Sequence, residues 1–125
     1  GSPEWSKDGS KIAVDMSNGG TGTSHVVVMN ADGTERKDLG PGCMPSFSAD
    51  GKRIAFSDPG QGIVTMKSDG TDRQVVDRSG WGTQWSPDGK WIAYGKSGNI
   101  TLLDVATRKS KQLLVGNNAT RYGYI

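Results

Sequence analysis

Trp85-Ser86-Pro87-Asp88-Gly89-Lys90-Trp91-Ile92-Ala93-Tyr94 reads as an aromatic strand end, a Pro-Asp-Gly turn and an apolar strand. The chain repeats the pattern as Trp5-Ser6-Lys7-Asp8-Gly9-Ser10-Lys11-Ile12-Ala13-Val14 and as Phe47-Ser48-Ala49-Asp50-Gly51-Lys52-Arg53-Ile54-Ala55-Phe56. A second motif lies between the copies. Val26-Val27-Val28-Met29-Asn30-Ala31-Asp32-Gly33-Thr34 matches Ile63-Val64-Thr65-Met66-Lys67-Ser68-Asp69-Gly70-Thr71, and a worn copy runs from Ile100 to Arg108. Met29, Met66 and Leu103 recur at one interval of 37 residues, and a fixed period in this range marks a repeat architecture.

Each unit is expected to hold four short strands. Strand a ends at Trp5, Phe47 or Trp85. Strand b carries the Ile-Ala pair, strand c ends at Met29, Met66 or Leu103, and strand d surrounds Leu39, Val76 or Leu113. Asp-Gly between a and b, and between c and d, is a strong hairpin signal, with positive φ expected at both turn residues. In the third unit Ala106-Thr107 replaces the c–d pair, so a different turn is expected there. Strands b and c are nearly continuous apolar runs, which suits strands covered on both faces, as in stacked blades. The b–c connection is long in the first unit, with Gly19-Gly20-Thr21-Gly22-Thr23 at its tip, and short in the other two.

Composition agrees. Only 33% of the chain is hydrophobic and it holds 19 glycines, which favours many short strands and tight turns. The net charge of +2 comes with scattered basic residues, so no nucleic-acid surface is indicated. No stretch of about 18 apolar residues occurs, so no membrane insertion is expected. One cysteine, Cys43, excludes an intrachain disulfide and a thiolate cluster.

Pro45-Ser46-Phe47-Ser48-Ala49-Asp50-Gly51-Lys52-Arg53-Ile54-Ala55-Phe56, and still more Trp85-Ser86-Pro87-Asp88-Gly89-Lys90, resemble the PD40 (WD40-like) repeat of TolB-type β-propellers. Met29-Asn30-Ala31-Asp32-Gly33-Thr34 resembles the same family's exit from strand c. The likeness covers almost the whole chain. Lys7 and Ala49 depart from it at the turn proline, and Thr83 stands where Pro3 and Pro45 do. A true WD40 repeat fits less well, for want of Gly-His and Trp-Asp pairs. The fold class expected is therefore all-β: three propeller blades of four antiparallel strands, spanning about 3–40, 41–78 and 79–118. Gly1-Ser2 is expected to be a tag remnant, and 119–124 an extra inner strand with Tyr124 at the aromatic position. Three blades are not expected to close alone. Two chains would make a six-bladed ring, the partner's first blade taking up strand 119–124 by exchange; nine blades from three chains is the weaker alternative.

No catalytic constellation stands out, and neither cofactor nor metal site is expected. His25, the single histidine, is read as a strand-edge residue, because no Gly-x-Ser-x-Gly elbow accompanies it. Cys43 is read as a structural thiol. Asn30-Ala31-Asp32-Gly33 resembles the start of a calcium loop but lacks its later ligands, so hairpin chemistry accounts for the aspartates. Asn99 and Asn118 head formal glycosylation sequons. Trp5, Phe47, Trp85 and Tyr124 are expected in the core between blades, and Asp8-Gly9, Asp50-Gly51 and Asp88-Gly89 at the turns. Glu4, Met44, Trp81, Gln84 and Arg121 are the candidate binding residues, in or above an axial channel; Trp81 as a plain channel plug is an equal reading. Function is expected to be non-enzymatic, a self-assembling scaffold for protein binding. The resemblance implies a bacterial periplasmic or envelope setting and a protein partner on one face. The propeller part of a peptidase or lyase, or a small-ligand binder using the channel, are the alternatives.

Overall fold

The computed structural model describes residues 3–17 and 23–113. Twelve strands follow one another: β1 (Glu4–Trp5), β2 (Lys11–Ser17), β3 (Ser24–Asn30), β4 (Lys37–Pro41), β5 (Cys43–Phe47), β6 (Arg53–Asp58), β7 (Gly62–Lys67), β8 (Gln74–Asp77), β9 (Trp81–Trp85), β10 (Trp91–Lys96), β11 (Asn99–Asp104) and β12 (Ser110–Leu113). They form three four-stranded antiparallel meanders, β1–β4, β5–β8 and β9–β12, as the four-strand reading of each unit expects. The extra inner strand expected at 119–124 lies outside the described residues, and so do Arg121 and Tyr124.

Strand period places the two residue sets of each sheet on opposite faces. In the middle sheet Phe47, Ile54 and Met66 share one cross-strand row. With Phe56 and Val64 they pack against Ala13, Val26, Val28 and Leu39 of the first sheet. The opposite face, with Ala55 and Ile63, packs against Trp85, Ile92, Tyr94 and Leu103 of the third. Each sheet thus has a forward face, built around its Ile-Ala alanine, and a backward face that carries its aromatic. At both internal junctions a forward face meets the next sheet's backward face.

Burial on both faces, expected for every b and c strand, holds in the middle sheet only, where Ile54–Ser57 and Gly62–Met66 are all buried. Among the described residues the end sheets lack one neighbour each. Phe47 is 5% and Trp85 6% exposed, but Trp5, at the same repeat position, is 60% exposed. Trp5 is therefore exposed where its repeat counterparts are core, because among the described residues no sheet covers the backward face of the first blade.

The turns also differ from expectation. At the Asp-Gly pairs only glycine adopts positive φ, for example Gly9 at 76° and Gly51 at 72°. The glycine N–H donates to the carbonyl three residues back, Gly9 to Ser6, Gly51 to Ser48 and Gly89 to Ser86. Aspartate sits in the ordinary region as the third turn residue, where proline at the second presets φ. A two-residue turn with both φ values positive occurs instead at Ser97-Gly98, 53° and 78°, between the paired Lys96 and Asn99. The c–d turn of the third unit does differ. Arg108 takes φ 65°, and Asp104 Oδ1 accepts the Ala106 and Thr107 N–H groups at 2.9 and 3.1 Å.

Candidate functional site

The inner strands β1, β5 and β9 position the candidate residues. Gln84 Nε2 donates to Glu4 Oε1 at 3.2 Å, so the first and third blades meet across the second. Lys7 Nζ repeats the link at the turn end, donating to the Pro87 carbonyl at 3.2 Å. Met44 sits between them at φ 54°. Its N–H donates to Asp15 Oδ2 at 2.7 Å, and its carbonyl accepts the Thr83 hydroxyl at 3.0 Å. Glu4, Met44 and Gln84 are thus gathered near one line where the three inner strands converge. Trp81 is placed differently. Pairing puts it opposite Gly95, which is paired with Ile100 and Ile100 with Leu113. Trp81, Ile100 and Leu113 therefore form one row on the forward face of the third blade, 45%, 41% and 44% exposed.

The Asp-Gly turns hold their aspartates for structural work. Asp8 Oδ1 accepts Ser6 Oγ at 2.8 Å and the Ser10 N–H at 2.9 Å. The Ser10 N–H, then the Ser10 and Ser6 hydroxyls, pull the Asp8 carboxyl down from 3.8 to about 2. Asp50 repeats the contacts with Ser48 and the Lys52 N–H, Asp88 with Ser86 and the Lys90 N–H. Each serine also accepts the N–H that opens the next strand, Lys11, Arg53 or Trp91, at 3.0 Å. The serine recurs visibly in all three copies, yet spacing alone does not reveal this double contact.

In the calcium-like segment, Asp32 Oδ1 accepts the N–H of Thr34 at 3.0 Å, and Asn30 Oδ1 takes the Lys11 ammonium at 2.6 Å. A cation already occupies the amide oxygen, so this geometry serves the turn. Among the described residues no cluster of three histidine, cysteine or carboxylate side chains is close enough to hold a metal.

His25 has a partner that sequence reading missed. Its Nδ1–H donates to Asp38 Oδ1 at 2.8 Å. The Gly40 N–H and His25 together hold the Asp38 carboxyl below its ordinary value. Cys43 is partly buried; burial, then the nearby Asp15 and Asp58, push its thiol up, so it stays protonated at neutral pH. Between the second and third blades, Tyr94 donates to Asp77 at 2.7 Å and Lys96 at 2.9 Å. Burial alone would raise Asp77, but Tyr94, Lys96 and the Ser79 N–H together outweigh it and keep the carboxyl low. The result is a polar latch between the two blades. A cleft of about 720 Å³ opens at the turn end between the first two blades. Lys7, Lys11 and Lys37 share the cleft with Asp8, Glu35, Asp50 and Asp69, so charges of both signs mix there.

Solved structures share this architecture. A TolB-type protein from Agrobacterium tumefaciens superposes with a TM-score of 0.82 at 20% identity, over 92% of this chain and 46% of that one. TolB from Acinetobacter baumannii gives 0.75 at 25% identity, over 92% and 32%. The fold is a partial β-propeller. The acylaminoacyl peptidase of Pyrococcus horikoshii is also similar, with a TM-score of 0.69 at 16% identity, over 90% of this chain and 24% of that one. The propeller chain thus spans less than half the length of each of these three proteins. No protein-family model and no curated protein matches it.

Proposed function

We propose that the chain is a non-enzymatic propeller module of PD40-type repeats that completes its ring by self-association and presents one face to a protein partner. One observation carries this reading: the end blades keep the apolar faces of the repeat yet leave them uncovered, with Trp5 60% exposed where Phe47 and Trp85 are 5% and 6%. Soluble monomers rarely leave a contiguous apolar face open to water, so a covering partner is expected. The proposed partner-binding surface is the line of convergence at Glu4, Met44 and Gln84; Trp81 joins the open forward face of the third blade instead, and Arg121 lies outside the described residues. The TolB likeness supports a bacterial envelope setting.

Light scattering at micromolar concentration tests the assembly. A mass of two chains is expected, and a mass of one chain overturns it. The likeness to a peptidase supports a rival reading, in which these blades are the propeller part of a larger enzyme. That reading expects one chain per particle and a hydrolase domain elsewhere on the polypeptide.

A further inference from the structure

The two open faces are unlike each other. The forward face of the third blade carries Ala93, Ile100, Leu102 and Leu113, which share cross-strand rows with one another or with their neighbours. By repeat position these match Ala13, Val26, Val28 and Leu39 of the first blade, which the second blade covers to 8% exposure or less. The backward face of the first blade carries Trp5, Ile12 and Met29 in one row, with Val14 and Val27 in the next but one. These match Phe47, Ile54, Met66, Phe56 and Val64, all at 5% exposure or less. A forward face has met a backward face at both internal junctions, never its own kind. The molecule therefore shows twice what covers each of its open ends.

Polar groups repeat the complementarity. Arg73, seven residues after Met66, lays its guanidinium 4.7 Å from the Phe56 ring centroid. It donates to the Leu39 and Pro41 carbonyls of the preceding blade at 3.4 and 2.9 Å. Arg36 stands seven residues after Met29 and is exposed. Its repeat counterpart of the Leu39 carbonyl is that of Leu113, at the open end of the third blade. Lys37, two residues before Leu39, is close enough to Asp69 of the next blade to help hold that carboxyl down. The corresponding pair across the open ends is Lys111 and Asp32, again of opposite sign.

We infer that the open ends are one heterologous interface: the Ala93–Ile100–Leu102–Leu113 face of one copy seats on the Trp5–Ile12–Val14–Met29 face of a second copy, with Arg36 of the second donating to the Leu113 carbonyl of the first. Two such junctions close a ring of two chains. This rests on the self-association reading and adds which faces meet. An isologous dimer, forward face on forward face, would bury one end of each chain and leave Trp5 in water.

The test uses Ile12→Glu and Leu102→Glu, each placing a carboxylate on one open face, with circular dichroism to confirm the strand signal. The unmodified protein is expected to run as two chains and each variant alone as one. An equimolar mixture of the two variants is expected to regain two chains through one unaltered junction, the other staying open because it holds both glutamates. Arg36→Ala, at a residue exposed in the single chain, is expected to raise the dissociation constant about 10-fold while leaving the single chain's stability unchanged. A single-chain mass for the unmodified protein overturns the assembly itself, together with this interface. A two-chain mass that survives either glutamate substitution, or loss in both without recovery on mixing, overturns the head-to-tail pairing and leaves self-association standing. Unchanged affinity in Arg36→Ala overturns the arginine bridge.

Discussion

Ser48 shows how much one small side chain organises here. Its hydroxyl donates to Asp50 at 2.7 Å and accepts the Arg53 N–H at 3.0 Å, closing the turn from within. Ser48→Ala removes both bonds. It is expected to lower unfolding stability by about 1–2 kcal/mol in urea titration, at about 1 kcal/mol per net hydrogen bond. An unchanged midpoint would remove the serine from the account. The turn carboxylates set an acid limit. Asp8, Asp32, Asp50, Asp69 and Asp88 all lie below their unfolded value of 3.8, held there by serine or threonine hydroxyls and backbone N–H groups. A carboxyl lowered on folding stabilises the fold fully above the unfolded value, and the contribution is lost as pH falls through the folded one. Stability is therefore expected to be flat down to a pH of about 4 and to fall from there toward about 2, read as the urea midpoint at each pH. A midpoint constant across that window would contradict the turn chemistry.

Elements are punctuated by glycine, but not every glycine carries the same constraint. Gly62 opens β7 at φ +95°, and a Cβ there would stand 2.3 Å from the Asp77 carbonyl oxygen on β8. Gly9, at φ +76°, has nothing within 4 Å of a Cβ. Gly9→Ala thus meets only the positive-φ penalty, about 1–2 kcal/mol. Gly62→Ala adds a backbone collision that no rotamer relieves, and is expected to cost at least about 2 kcal/mol more, measured by thermal unfolding. Equal effects would mean that β7 and β8 part without loss. This asymmetry was illegible in the sequence, which places both glycines in polar connecting segments but does not show what faces them. The Ser97-Gly98 hairpin was hidden for a related reason. Two positive φ values were expected at Asp-Gly, yet register between Lys96 and Asn99 left only two residues to reverse the chain, and that geometry demands them.

Across the whole molecule, concentration should govern stability. If two copies share an interface, the unfolding midpoint rises with protein concentration. A rise of several degrees between about 1 and 100 μM is expected, since mass action favours the folded pair; a constant midpoint points to a self-sufficient single chain. Strand number, strand order and the three-blade count were legible in the residues alone. Turn chemistry and apolar runs are local, and the 37-residue interval of Met29, Met66 and Leu103 reports them three times over. Grouping Glu4 with Gln84 rested on repeat position, and their 3.2 Å contact joins residues 80 apart in the chain. Tertiary structure alone decided which apolar faces are covered. Trp5 and Phe47 read identically in the repeat, but their exposures of 60% and 5% depend on whether a blade stands in front. It also decided that Tyr94 and Lys96 close on Asp77, and that Trp81 joins an apolar row with Ile100 and Leu113. Local sequence specifies a blade because its strand ladder is paired within it; burial belongs to the stack, and no blade contains its own neighbour.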